Sequence, residues 1–250
     1  MDVKLNPDER IDQLYSSNIQ IIQNKKTFSF SIDAVLLADF AKPDRRRRGI
    51  TVDLCAGNGA VGLFFSKKTK GLIHEIEIQP YLADLAQRSI KLNHLEQQID
   101  VLNIDLINSL EKIKPDTVST VLCNPPYFKN LSSSIKNDNQ YYAIARHEIK
   151  TDLEKVIYIT SKLLKMTGHA YFVFRTDRFL EMMQLLIKYQ LAPKTVQFIY
   201  PKPGKNADMF LIDAIKNGKQ TGFKILSSIT LADDEGNYVG YVKKILYGEQ

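Results

Sequence analysis

Val52-Asp-Leu-Cys-Ala-Gly57-Asn-Gly59-Ala-Val-Gly62 reads as an apolar strand that stops on two glycines and resumes as a helix carrying a third. A G-x-G-x-x-G in that setting has a mechanical meaning. Gly57 and Gly59 lack a Cβ, so the chain can turn tightly and a ligand can approach its backbone. Gly62 lets the following helix lie close to the sheet. The triplet alone is a weak signal. Glu77 strengthens it, because it stands 20 residues beyond Gly57, at the end of the next strand-like run, where an acidic side chain can accept from a ribose diol.

Outward from this loop the chain alternates strand and helix patterns. Ile50–Cys55, Leu72–Ile78, Ile99–Asn103 and Thr117–Cys123 read as strands, with helices at Val61–Ser66, Tyr81–Leu92 and Ile107–Ile113 between them. Further on, Leu153–Lys165 reads as a helix ended by Gly168, Ala170–Phe174 as a buried strand and Arg178–Tyr189 as a helix. Strands follow at Val196–Tyr200, Phe210–Lys216 and Phe223–Leu226. Such alternation predicts an α/β fold, a mostly parallel central sheet with helices on both faces, and a ligand edge at the strands' carboxyl ends. Before residue 49 the patterns predict a short hairpin and a helix capped by Ser31 or Asp33. We therefore divide the chain into an N-terminal extension, 1–48, packed on a main domain, 49–250. Residues 129–142 are polar and read as a loop.

Composition bounds the partners. The 250 residues carry 34 Lys+Arg against 28 Asp+Glu, a net charge of +6, with 44% apolar residues and two cysteines. That balance excludes disordered and collagen-like chains, and two isolated cysteines make no disulfide framework. The charged N-terminus lacks the apolar core of a signal peptide, and no apolar run reaches the roughly 18 residues of a membrane span. A cytoplasmic protein with no membrane partner is expected, with a monomer favoured. The four histidines are scattered, so no metal is expected.

Two further acidic residues bear on the cofactor. Asp53 precedes the glycines, where a carboxylate can face an ammonium group, and Asp105 follows the third strand, where it can accept from an adenine amino group. Dinucleotide and S-adenosylmethionine enzymes share the glycine loop. These two positions lean towards S-adenosylmethionine.

The sharpest local signal is Asn124-Pro125-Pro126-Tyr127-Phe128, directly after the fourth strand of the series. Consecutive prolines stiffen the turn and remove two N–H donors, leaving it rich in acceptors. An amino group on an aromatic ring is a poor nucleophile, because its lone pair is delocalised. The Asn124 side-chain oxygen and the Pro125 carbonyl, accepting its two N–H groups, would localise that pair, and Tyr127 or Phe128 would stack on the flat substrate. Catalysis of this kind is orientation and charge placement. Cys55 and Cys123 each end a strand beside these loops and read as buried small hydrophobes rather than nucleophiles.

On Asp53–Gly62, Glu77, Asp105 and Asn124–Tyr127 the chain resembles the class I, Rossmann-like S-adenosylmethionine-dependent methyltransferases that modify exocyclic or amide nitrogens. More narrowly it is similar to the bacterial tRNA1(Val) adenine-N6 methyltransferases, which act on the adenosine just 3′ of the anticodon, position 37. Glu9–Leu14, Phe28–Leu37, Ile76–Pro80 and Ala145–Glu148 carry that narrower likeness. The resemblance implies S-adenosylmethionine as cofactor and tRNA as partner, and it places Phe30 and Asp33 beside the methionine part of the cofactor. Ser31 stands where that family frequently has glycine. His147 is a candidate RNA contact. Six lysines against two aspartates in residues 193–224 mark a second candidate RNA surface, with Lys202 and Lys205 on it. Rival chemistries are glutamine-N5 methylation of a protein, which usually comes with a larger N-terminal domain, and DNA adenine-N6 methylation, which usually comes with a target-recognition domain. A nicotinamide oxidoreductase would leave the tetrad without a task, and so would a non-catalytic RNA-binding module.

Overall fold

The computed structural model describes residues 3–24, 31–125 and 152–248. An N-terminal hairpin pairs β1 (Glu9–Leu14) with β2 (Ile19–Asn24), and α1 (Ile32–Phe40) follows. Then come β3 (Thr51–Leu54), α2 (Ala60–Phe65), β4 (Ile73–Ile76), α3 (Pro80–Leu92), β5 (Ile99–Leu102), α4 (Ser109–Lys112) and β6 (Val118–Cys123). The remainder contributes α5 (Leu153–Leu163), β7 (Leu164–Arg175), α6 (Phe179–Lys188), β8 (Leu191–Tyr200), β9 (Met209–Lys216), the short β10 (Lys224–Ile225) and β11 (Ile229–Thr230), and α7 (Gly240–Tyr247).

Among the described residues one nine-stranded sheet organises these elements in the order β10-β8-β9-β7-β6-β3-β4-β5, with β11 also on β8. Strands β5, β4, β3, β6 and β7 run parallel, and β9 is antiparallel to both β7 and β8. The expected mostly parallel sheet is therefore present. It has an antiparallel intruder, β9, which leaves β8 pointing the same way as the core strands.

Strand periodicity divides the core into two layers. Along β7, Ala170, Phe172 and Phe174 face α5 and α6, while Tyr171 and Val173 face α1, α2 and α7. Successive side chains leave a strand on opposite sides, so the near-continuous apolar runs of the sequence are what a sheet covered on both faces requires. Phe179, at the start of α6, stands edge-on to Phe210 at 5.0 Å and 85°, which fixes that helix on the sheet. Among the described residues no helix is long and apolar enough to cross a membrane.

Three local expectations change. The hairpin strand preceding Ile19–Asn24 is Glu9–Leu14, a stretch whose charges hid its pattern. Gly168 does not end a helix: α5 stops at Leu163, and Gly168 lies inside β7. There Leu164 pairs with Val118 and pairing resumes at His169 with Thr120, so the residues between them bulge. A Cβ on Gly168 would meet the Lys165 and Val118 carbonyl oxygens at 2.9 and 3.0 Å. Ser31 does occupy the cap of α1, but its hydroxyl donates to the Asp33 carboxylate and its oxygen accepts from no helix N–H.

The hairpin is locked to α3 by polar contacts. The Ile22 N–H donates to Ser89 Oγ at 2.9 Å, and Asn93 bonds the Gln20 backbone in both directions. Both terminal nitrogens of the Arg88 guanidinium reach the Glu9 carboxylate at 2.7 Å.

Candidate active site

The carboxyl ends of β3, β4, β5 and β6 bring the glycine loop, Glu77, Asp105 and Asn124 to one edge. The turn after β3 uses left-handed backbone at Cys55 (φ 60°), Gly57 (φ 60°) and Gly59 (φ 81°). A non-glycine residue in that region is uncommon, and Cys55 is held there between the end of β3 and the loop. A Cβ on Gly57 would meet nothing within 4 Å, so the loop's outer face borders open space.

Glu77 stitches this loop to the neighbouring strand. Its Oε2 accepts from the Gly57 N–H at 2.8 Å and its Oε1 from the Gln79 N–H at 2.7 Å. Each oxygen keeps a second lone pair, so the carboxylate can still accept from a diol. Burial raises its pKa, and the Gln79 and Gly57 amides pull it back. Asp105 is half-buried, and its Oδ1 caps a short 3-10 turn by accepting from the Ile107 N–H at 3.1 Å.

Beneath the loop lies a feature that the sequence reading missed. Asp53 and Glu75 are register partners on β3 and β4, both buried and both on the α2 side of the sheet. Asp53 Oδ2 accepts from the Gly62 N–H at 3.0 Å, whereas Asp53 Oδ1 and both Glu75 oxygens have no hydrogen-bond partner among the described residues. The Glu75 carboxyl occupies the space where side chains on the loop would go: a Cβ on Gly62 would lie 2.3 Å from Oε1, and one on Gly59 2.6 Å from Oε2. A side chain at either position would have to displace the Glu75 carboxyl, and Gly59 also needs its positive φ. The signal was present in His74-Glu-Ile-Glu77, where Glu75 shares a strand face with Glu77.

Burial pushes the Asp53 carboxyl up to about 8, with the Glu77 charge adding to the shift and the Gly62 amide opposing it. Glu75 is raised well above the carboxylate range by burial, and the charges of Asp53 and Asp100 push the same way. An unfolded Asp loses its proton near 3.8, so between that pH and about 8 the folded chain holds the proton that the unfolded chain has released. Stability is complete below the unfolded value and falls as pH rises across this window. Thermal melts from pH 5 to 9 should show that decline. Glu75→Gln should flatten it and raise the midpoint at pH 8 by about 5 °C. A midpoint independent of pH in the wild type would contradict this picture.

At the end of β6 the Asn124 side chain is half-buried and Pro125 is buried. Asn124 Nδ2 donates to Asp33 Oδ2 at 3.2 Å, joining the first turn of α1 to the tetrad. Asp33 thus lies against Asn124. Cys123 is buried in the sheet next to Cys55, and burial raises its thiol well above the ordinary value, as for an inert core cysteine. Phe30, Tyr127, Phe128 and His147 lie outside the described residues, as does the loop expected at 129–142.

The lysine cluster divides between the two sheet edges. Because β8 runs parallel to β7, the turn after Tyr200 emerges at the same edge as Asn124, and Lys202 and Lys205 are on it. Lys202 Nζ donates to the Asp234 carbonyl at 2.9 Å. At the opposite edge, Lys216 pairs with Asp116 and the Leu164 carbonyl, Lys194 bonds the Lys219 and Thr221 carbonyls, and Lys224 pairs beside Thr195. A charge sum over consecutive residues cannot see this division, because β8 and β9 carry neighbours in sequence to opposite ends of the sheet.

A family model described as methyltransferase small domain matches residues 30–167. Among curated proteins, a tRNA1(Val) (adenine(37)-N6)-methyltransferase of Aliivibrio fischeri is 28% identical over 144 residues, 57% of this chain and 58% of that protein. One of Shewanella loihica is 25% identical over 214 residues, 83% of this chain and 86% of that protein. The chain thus spans under two thirds of the first relative and most of the second. Of solved structures, a predicted O-methyltransferase of Agrobacterium tumefaciens superposes with a TM-score of 0.67 at 21% identity, over 86% of this chain and 96% of that one. The M. jannaschii TYW2 protein in complex with AdoMet gives 0.57 at 16% identity, over 85% and 87%. These likenesses show a Rossmann-like class I methyltransferase fold.

Proposed function

Because this chain belongs to the methyltransferase small domain family, we propose that it methylates N6 of an adenosine in tRNA, at position 37, with S-adenosylmethionine as cofactor. The observation that carries the reading is the Asn124 amide, set at the carboxyl end of β6 beside Pro125 and anchored by Asp33. The names of the curated relatives support the substrate. The 1–48 extension is read as part of the same unit, supported by its bonds to α3.

The residues fit the cofactor on their own geometry. Glu77 presents a two-oxygen acceptor held rigidly by backbone amides, as a ribose diol needs, and Gly57 leaves the space above the loop clear. Asp105 stands one strand further along, past the carboxyl end of β5, and is read as the acceptor for an adenine amino group. Asp53 is roofed by the loop and holds its proton below about pH 8, so its part is to fix the loop by accepting from the Gly62 N–H rather than to face an ammonium group with a charge. When bound, S-adenosylmethionine supplies a methyl group on a sulfonium.

The chain's own work is on the acceptor. Asn124 Oδ1 and the Pro125 carbonyl receive the two N–H groups of the exocyclic amine, which turns the nitrogen lone pair out of conjugation and towards the methyl group. As that nitrogen took the methyl carbon, the carbon–sulfur bond would break and the sulfur would leave as a neutral thioether; the positive charge passing to the nitrogen would build against these two oxygens, which would hold the surplus N–H proton until water takes it. Tyr127 or Phe128 is read as the stacking side chain and Phe30 as a cofactor contact. His147, Lys202 and Lys205 are read as RNA contacts. A target in a structured loop needs less unstacking than one in a duplex.

Labelled S-adenosylmethionine incubated with bulk unmodified tRNA, a DNA duplex or a release factor, followed by nucleoside mass spectrometry, tests the acceptor. N6-methyladenosine in the tRNA arm alone is expected. Calorimetry with S-adenosylmethionine and NAD tests the cofactor, and NAD binding without S-adenosylmethionine binding would end the methyltransferase reading. Lys202→Ala combined with Lys205→Ala should weaken tRNA binding and lower its salt slope by about 1 to 2, with cofactor affinity kept. An unchanged slope would move the RNA surface elsewhere.

A further inference from the structure

Asp33 is 3% exposed and stands in the first turn of α1, far in sequence from the tetrad it touches. Its Oδ1 accepts from the Ala34 N–H at 3.0 Å and from the Ser31 hydroxyl, which pins the carboxylate's rotation. Its Oδ2 accepts from Asn124 Nδ2 at 3.2 Å. A carboxylate offers only acceptors, so the amide edge turned towards it has to be the NH₂ edge. The other edge of the same planar amide is the carbonyl oxygen. Turning the amide over would set Oδ1 against Oδ2, two acceptors facing each other in a buried site, and would cost far more there than in water.

We infer that Asp33 is a positioning residue that fixes the polarity of the Asn124 amide, so that the site accepts a hydrogen-bond-donating amino group and rejects a ring carbonyl at the same place. The inference deepens the reaction proposed above and rests on it for the substrate class: a flat ring with an exocyclic NH₂. The family resemblance had placed Asp33 beside the cofactor. In the structure its contacts include Asn124 and the start of its own helix. Discrimination of this kind works mainly by penalty, because a keto substrate would meet Oδ1 with its own oxygen and leave both unpaired.

Three measurements test it on the full chain. First, Asp33→Ala should lower kcat on a tRNA substrate about 100-fold, with the calorimetric affinity for S-adenosylmethionine unchanged within about threefold. Asp33→Asn should fall only about tenfold, since its amide oxygen can still accept from Asn124. The double variant Asp33→Ala/Asn124→Ala should be no slower than Asn124→Ala alone, because Asp33 acts through Asn124. Second, a transcript with inosine at the target position should compete poorly with the adenosine form for the wild type, and Asp33→Asn should narrow that preference about tenfold, because its amide no longer dictates which edge of Asn124 faces out. Third, the side-chain NH₂ signal of Asn124 in a ¹⁵N correlation spectrum, assigned by its loss in Asn124→Ala, should shift in both Asp33 variants. Cofactor affinity falling in step with kcat would make Asp33 a cofactor contact and overturn the inference. So would additive losses in the double variant, an unchanged base preference, or an Asn124 signal that does not move. The spectrum needs no turnover. If the wild type methylates no tRNA, the proposed reaction fails, and the polarity of the amide is still judged by that signal.

Discussion

Asn124→Ala lowers methyl transfer to tRNA by about 100-fold or more, while S-adenosylmethionine still binds; this is the expected result of removing one preorganised acceptor from the site. The reasoning starts from the acceptor's chemistry. The exocyclic nitrogen of adenine shares its lone pair with the ring, and two well-placed oxygens restore nucleophilic character by drawing its N–H groups out of plane. In the proposed mechanism Asn124 would supply one of them from a half-buried position, on a strand end followed by a buried proline. Alanine keeps the backbone and the Pro125 carbonyl but loses the side-chain oxygen, and it leaves the Asp33 carboxylate without the amide that now donates to it. Because the interaction grows as charge develops, the loss should fall on kcat more than on KM. Single-turnover transfer from labelled S-adenosylmethionine measures it, and a rate within threefold of wild type would remove Asn124 from the mechanism.

Arg88→Ala should destabilise the protein by about 3 kcal/mol, one of the larger effects available to a single substitution here. The Glu9 side chain is fully buried and receives both terminal guanidinium nitrogens of Arg88, the Tyr81 hydroxyl at 3.0 Å and the Asn6 backbone and side-chain amides. Arg88 is the largest influence holding the Glu9 carboxyl down to about 2, against a burial penalty that pulls the other way. Truncating Arg88 leaves an ionised carboxylate buried without its cation. A depressed carboxylate contributes stability that is complete above its unfolded pKa of 4.5 and is lost as pH falls through about 2. The gap between wild type and Arg88→Ala in a denaturant titration should therefore be widest near pH 7 and should narrow below pH 4. A gap under about 0.5 kcal/mol at pH 7 would mean that the pair behaves as an exposed one.

The strands and helices that build the sheet were legible because their residues obey local rules. Ile50–Cys55 and Thr117–Cys123 are apolar runs of strand length bounded by turn residues, and Tyr81–Leu92 has helical spacing behind Pro80 at the first helical position. Glu9–Leu14 was not legible: Glu9 is a partner of α3, Asp12 is a partner of Gln23 on the neighbouring hairpin strand and of Arg10 on its own, and no window of the sequence contains α3 beside them. Gly168 was misread for a similar reason. A glycine after an apolar helical run looks like a terminator, while its use in the fold is to let the backbone of β7 pass the Val118 and Lys165 carbonyls.

By itself the sequence determined which residues reach the ligand edge. Strand ends are marked locally, and right-handed parallel crossovers send every such end to the same side. So Gly57, Gly59, Glu77, Asp105 and Asn124 could be named from their order along the chain, whereas Asp53, named with them, lies buried beneath the loop. Only the tertiary structure decided what those side chains do to one another. Register across β3 and β4 set Asp53 beside Glu75, the packing of α1 carried Asp33 to Asn124, and the antiparallel β9 divided a run of lysines between two edges. Position along a strand follows from backbone geometry, which each segment carries with it. Pairings between distant side chains exist only once the sheet has closed, and it is there that charge, donor and acceptor acquire their partners.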